Sequence, residues 1–160
     1  MRPIMIEQPF GNGDLIEYAV LQRQLKTPIC IDESAHNMNQ IKATVALGSC
    51  RVVNLKPPRV GGPRNVSKMT QYLQSQGIGA WIGGMLETGI GRSLNLACAS
   101  LEGINFAGDL RPPLDYLSDD ITTAPFHMAE DQMKIPKAPG LGVLPDPEKL
   151  ERYTVETFLF

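Results

Sequence analysis

Three short apolar stretches end in ionisable side chains at almost equal spacing: Met5-Ile6-Glu7-Gln8-Pro9-Phe10, Ile29-Cys30-Ile31-Asp32-Glu33-Ser34 and Val52-Val53-Asn54-Leu55-Lys56-Pro57. Two carboxylates set side by side repel each other unless a cation lies between them, and hard oxygen donors of this kind suit Mg2+ or Mn2+. Glu7 and Asp32 are therefore the candidate metal ligands. Glu33 is either a further ligand or, because alternate strand residues face opposite ways, a group that supports one. Lys56 has no basic neighbour before Arg59 and would stand beside that cation. Burial and a nearby positive charge lower an ammonium's proton affinity, which fits a lysine for general-base work. The alternative is an ion pair between Lys56 and Asp32 with no metal.

The elements that must position these residues follow from the same spacing. Glu7 and Asp32 are 25 positions apart and Asp32 and Lys56 are 24 apart, roughly what one strand, one helix and two loops need in a parallel βα repeat. Strands are expected at Ile4 to Glu7, Ile29 to Ile31, Val52 to Leu55, Ile78 to Ile82 and Ile104 to Ala107, the last ending near Asp109. Helices alternate with them. One runs from an Asp14 cap to Lys26, with Leu15, Ile16, Ala19, Val20 and Leu25 apolar. Another opens at Asn37 and stops at Gly48; a third carries Val66, Met69 and Leu73 and ends by Gly77. The fourth, Ser93 to Leu101, carries Leu94, Ala97, Cys98 and Leu101 on its buried side.

Strict alternation implies a parallel sheet, either open and doubly wound or curled toward a (β/α)8 barrel, with its chemistry at the carboxyl ends of the strands. After Asp109 the pattern fails, since seven of the 13 prolines fall in the last 49 residues. The expected division is residues 1–111 for the βα units and 112–160 for a Pro-rich segment of loops, with one helix over Pro147 to Tyr153. Gly83-Gly84-Met85 follows the fourth strand, where glycine lets backbone N–H groups approach an anionic substrate group.

Composition narrows the partners. The 160 residues are 42% apolar, and 15 Lys and Arg against 17 Asp and Glu give a net charge of −2. That balance offers no basic face to nucleic acid or an anionic membrane, and no run of about 18 apolar residues suggests a span. A small-molecule ligand and the cytoplasm are the expectations. Cys30, Cys50 and Cys98 lie in apolar runs without CxxC spacing and read as reduced core thiols. His36 and His127 sit in polar or Pro-rich surroundings and read as solvated.

Glu7-Gln8-Pro9, Asp32-Glu33-Ser34, Asn54-Leu55-Lys56-Pro57 and Gly83-Gly84-Met85-Leu86-Glu87-Thr88-Gly89, in this order and spacing, resemble the barrel domain of the enolase superfamily. The resemblance is to the muconate-cycloisomerase-like subgroup. The Gly-Gly-Met-Leu-Glu-Thr-Gly run and Leu47-Gly48-Ser49-Cys50-Arg51 are most similar to o-succinylbenzoate synthases and N-succinylamino acid racemases. The resemblance implies a divalent metal that binds a substrate carboxylate and stabilises the enediolate formed when a lysine removes the α-proton. It implies Glu7 and Asp32 as the second and third metal ligands, Lys56 as the lysine on one face of the substrate with Asn54 beside it, and Gly84 and Met85 as contacts to the acyl or succinyl end.

It also implies a partial (β/α)8 barrel, strands four to eight with their helices plus an irregular C-terminal segment. The first three strands, the N-terminal capping domain, a first metal-ligand Asp and a Lys-x-Lys pair have no counterpart here. Such a half exposes unpaired sheet edges, so the chain is expected to be inactive alone and either to self-associate or to need a complementing N-terminal half. A muconate-type cycloisomerase is the enzymatic alternative; a non-catalytic half-barrel assembly module is the other.

Overall fold

The computed structural model describes residues 3–158; the first two residues of the expected 1–111 segment and the last two of the expected 112–160 segment lie outside the described residues. Contacts divide the chain into two compact units, one formed by residues up to Gly83 together with Cys98–Asp109, the other by Gly84–Ala97 together with the segment from Leu110 onward.

The first unit is built on four parallel strands in sequential order: β1 (Ile6–Glu7), β2 (Ile29–Ile31), β3 (Val52–Leu55) and β4 (Gly79–Ile82). The connections are α1 (Leu15–Gln24), α2 (Met38–Leu47) and the pair α3 (Pro57–Val60) and α4 (Pro63–Ser75). Register decides what each face carries. Glu7 pairs with Cys30, Cys30 with Val52, Val52 with Gly79 and Asn54 with Trp81. Paired residues of a parallel sheet share a face and alternation repeats it every second residue. One face therefore carries Met5, Cys30, Val52 and Trp81, an apolar cluster with Phe106, and at its strand ends Glu7, Asp32, Asn54 and Lys56. The opposite face carries Ile29, Ile31, Val53, Leu55, Ala80 and Ile82, all buried. A sheet covered on both sides explains why the strands are apolar throughout and turn polar only at their tips.

The helix signals hold where their chemistry is local. Asn37 caps α2, its Oδ1 accepting from the N–H groups of Asn39 and Gln40 at 3.0 Å, and Gly48 closes it in the left-handed region at φ +69°. Val66, Met69 and Leu73 form the buried stripe of α4. Three expectations are corrected. Asp14 precedes α1 without capping it, because its carboxylate accepts from the Gly11 N–H at 3.0 Å. Ile16 and Val20 of α1 are exposed, and the buried side is Tyr18, Ala19 and Gln22, since Gln22 accepts from the Ile29 N–H at 2.7 Å and Tyr18 bonds Phe10.

The third correction concerns the fifth strand: Ile104 to Ala107 is not a strand among the described residues. The segment does lie along β4, with the Asn105 N–H donating to the Ala80 carbonyl at 3.0 Å. The Asn105 side chain then accepts from the Ala80 N–H at 3.0 Å. A side-chain amide takes the place a strand's carbonyl would fill, which is how Asn competes with regular structure.

The second unit contains most of α5 (Gly89–Ala99), which starts four residues before the expected Ser93 and whose last two residues belong to the first unit. The buried positions of α5 are Arg92, Ser93, Asn95, Leu96 and Cys98, whereas Ala97 is exposed. A 3-10 turn (Pro113–Asp115), a hairpin of β5 (Met128–Ala129) with β6 (Gln132–Met133), and α6 (Pro147–Tyr153) complete it. The α6 span agrees with expectation; Asp146 caps it through the Glu148 and Lys149 N–H groups. No helix among the described residues is long and apolar enough to cross a membrane.

Candidate active site

Asp32 is the hub of the strand-end cluster. Its Oδ2 pairs with Lys56 Nζ at 2.8 Å and its Oδ1 with the Arg59 guanidinium, all three side chains being largely buried. Lys56 leaves β3 toward this carboxylate because Asn54 and Lys56 share the sheet's polar-ended face. Arg59 comes from α3, one helical turn later, and is held by the carbonyls of Ala35 at 3.1 Å and Asn54 at 2.6 Å. The Lys56–Asp32 ion pair that the sequence left open as an alternative is thus formed in this structure.

Glu7 is linked to the cluster through Asn54, whose Nδ2 donates to Glu7 Oε1 at 2.8 Å. The Asn54 side chain is 2% exposed and its Oδ1 has no hydrogen-bond partner. It fills the space over Gly83, where a Cβ would stand 2.2 Å from that oxygen. Partial burial pushes the Glu7 carboxyl above its usual range; the Asn54 hydrogen bond opposes that and the charge on Asp32 adds to it. Glu33 stands exposed in the turn after β2.

The donor chemistry of Glu7 and Asp32 suits a hard divalent cation. The number of donors does not, since no group of three His, Cys, Asp or Glu among the described residues could hold a metal ion. Both Asp32 oxygens, moreover, are already paired with cations. These residues fit part of a metal site rather than a whole one.

Gly84 and Met85 open the second unit. The Met85 N–H donates to Glu87 Oε2 at 2.8 Å and its carbonyl accepts from Arg92 Nη2 at 3.0 Å, leaving a side chain 55% exposed on a tethered backbone. Arg92, 1% exposed, also pairs with Glu87 at 3.0 Å, and Asn95 binds the other Glu87 oxygen.

Sequence reasoning missed Arg59, Gln8 and Arg92. Arg59 lay three residues beyond Lys56, a helical spacing hidden by the two prolines between them. Gln8 gives no periodic signal, yet its side chain reaches from the end of β1 to the tip of β2. Cys30, Cys50 and Cys98 are buried and unpaired, with thiols pushed up by burial to about 12, 12 and 11, and His36 and His127 are exposed.

A parallel βα sheet with carboxylates and a lysine on its carboxyl rim places the chain in the α/β class. Residues 1–149 match the family described as enolase C-terminal domain-like, and the chain belongs to that family. It is 42% identical over 150 residues to an o-succinylbenzoate synthase of Enterococcus faecalis, covering 94% of this chain and 41% of the relative. An N-succinylamino acid racemase of Amycolatopsis is 39% identical over 151 residues, with the same two coverages. Among solved structures, a member of the enolase superfamily from Listeria innocua superposes with a TM-score of 0.92 at 40% identity, over 96% of this chain and 41% of that one. The chain spans about two fifths of the length of these relatives.

Proposed function

We propose that this chain carries part of the site of an enzyme that removes the proton α to a carboxylate, of the o-succinylbenzoate synthase or N-succinylamino acid racemase type. The observation that supports this most is the convergence of Glu7, Asp32 and Lys56 on one face and one rim of a parallel sheet, in a chain whose relatives bear those two names. In this reading β1 to β4 are strands four to seven of a (β/α)8 barrel.

Lys56 is the base. Its ammonium tip, held by Asp32 at 2.8 Å, is aimed along the rim. Asn54 orients Glu7. Arg59 keeps Asp32 in place when Lys56 moves, because it binds the other carboxylate oxygen. Glu33 is assigned no role, being exposed in its turn. Glu7 and Asp32 would hold a divalent metal only together with ligands from outside this chain, and such a metal would supply positive charge to the substrate carboxylate. The remaining ligand and a second lysine are to be sought in the sequence that the relatives carry outside the matched part.

The experiment is complementation. The chain is assayed with Mg2+ alone and after mixing with the unmatched part of the Enterococcus faecalis relative, following both elimination to o-succinylbenzoate and α-proton exchange of an N-succinylamino acid in D2O. No turnover is expected from the chain alone, and turnover on mixing that falls by about 10²- to 10⁴-fold with Lys56→Ala. Robust turnover by the pure chain would contradict the partial site; full activity of the Lys56→Ala mixture would remove Lys56 from the chemistry.

A further inference from the structure

Gln8 directly follows Glu7 and takes a backbone conformation that few side chains adopt, φ +42°. It also precedes Pro9, whose ring favours extended backbone in the residue before it. Conformations of this kind persist where the surroundings over-determine them, and the surroundings of Gln8 are specific. Its N–H donates to the Cys30 carbonyl at 2.9 Å, the last rung between the ends of β1 and β2. Its side chain then crosses to the tip of β2. There Oε1 accepts from the Asp32 N–H at 2.8 Å, and Nε2 donates to Ser34 Oγ at 3.0 Å and to the Phe10 carbonyl at 3.4 Å.

In an extended continuation of β1, residue 8 would face away from Glu7, and its side chain would leave the rim. The left-handed turn returns it. We propose that Gln8 is a positioning residue that braces the rim between the two candidate ligands, fixing the Asp32 backbone relative to Glu7 and so the carboxylate that Lys56 and Arg59 share. The brace is a matter of geometry; its purpose for metal binding rests on the proposed function. Glycine separates the two roles the position could have, since it relieves the backbone while deleting the side chain.

The test uses the full chain as wild type, Gln8→Gly and Gln8→Glu, the last keeping an acceptor for the Asp32 N–H. Amide hydrogen exchange of Asp32, with Ile31 and Val53 as references for the sheet, and the Lys56 15Nζ signal are read without metal; Mn2+ binding is read by electron paramagnetic resonance after mixing with the unmatched part of the Enterococcus faecalis relative. Gln8→Gly is expected to speed Asp32 exchange about tenfold relative to the references, to move the Lys56 signal and to weaken Mn2+ about fivefold. Gln8→Glu is expected to keep the Asp32 protection. Wild-type Asp32 exchange and an unmoved Lys56 signal in Gln8→Gly would overturn the brace. Absence of Mn2+ binding by the wild-type mixture would count against the metal reading alone, the brace still being decided by exchange and the lysine signal.

Discussion

At the scale of single residues the site is a set of unequal charges around one carboxylate. Asp32 neutralises two largely buried cations, so Asp32→Asn leaves Lys56 and Arg59 facing each other without a counter-charge. Its expected cost is about 3 kcal/mol, read by urea unfolding. Glu7 runs the other way. Its folded-state pKa lies above the unfolded value because burial and Asp32 disfavour its ionised form. The stability it contributes is thus present at low pH and lost as pH rises through that raised value. Glu7→Gln should therefore be more stable than wild type at pH 7, by at most about 0.5 kcal/mol because solvent screens this edge, and equal to it below about pH 4. A wild type more stable than Glu7→Gln at pH 7 would reverse the sign. The residue types and spacing made Glu7, Asp32 and Lys56 legible in the sequence. Arg59 and Gln8 were not, because an arginine after two prolines and a glutamine before one give no periodic signal.

At the scale of elements, what was readable is what is decided locally. Asn37 and Gly48 act through backbone groups within a few residues, and Asn37→Ala should cost about 1 kcal/mol. What was unreadable depends on partners far along the chain. Ile16 and Val20 carry a helical apolar pattern and are exposed, while the polar Arg92 and Asn95 are buried around Glu87. The fifth strand failed because the Asn105 amide supplies the bond to Ala80. Arg92 uses Nη2 for three acceptors, Met85 O, Glu87 and Tyr116, while Nε and Nη1 have no partner. A lysine ammonium also concentrates its donors on one atom. Arg92→Met should thus destabilise by about 3 kcal/mol and Arg92→Lys by clearly less, both measured by thermal unfolding. Equal losses would mean that the whole guanidinium is needed.

At the scale of the molecule the sheet gathers part of a site and leaves its completion elsewhere. The order and parallel direction of β1 to β4 were legible from the 24- to 25-residue period, since one strand, one helix and two loops occupy that length. The two-unit division was not, because residues 98–109 return to the first unit after the second has begun. The three thiols are raised to about 11 or 12, so alkylation at pH 7.5 should proceed only as the chain unfolds; fast labelling of the native chain would mean the core is open. The central claim is that Glu7 and Asp32 are metal-binding carboxylates beside the base Lys56. It is tested most directly by thermal melting with and without Mg2+ in wild type and Asp32→Asn, each mixed with the unmatched part of the Enterococcus faecalis relative. A ligand that binds only the folded state raises the melting temperature, so a Mg2+-dependent rise is expected in the wild type and none in the variant. Equal shifts in the two, or none in the wild type, would contradict it.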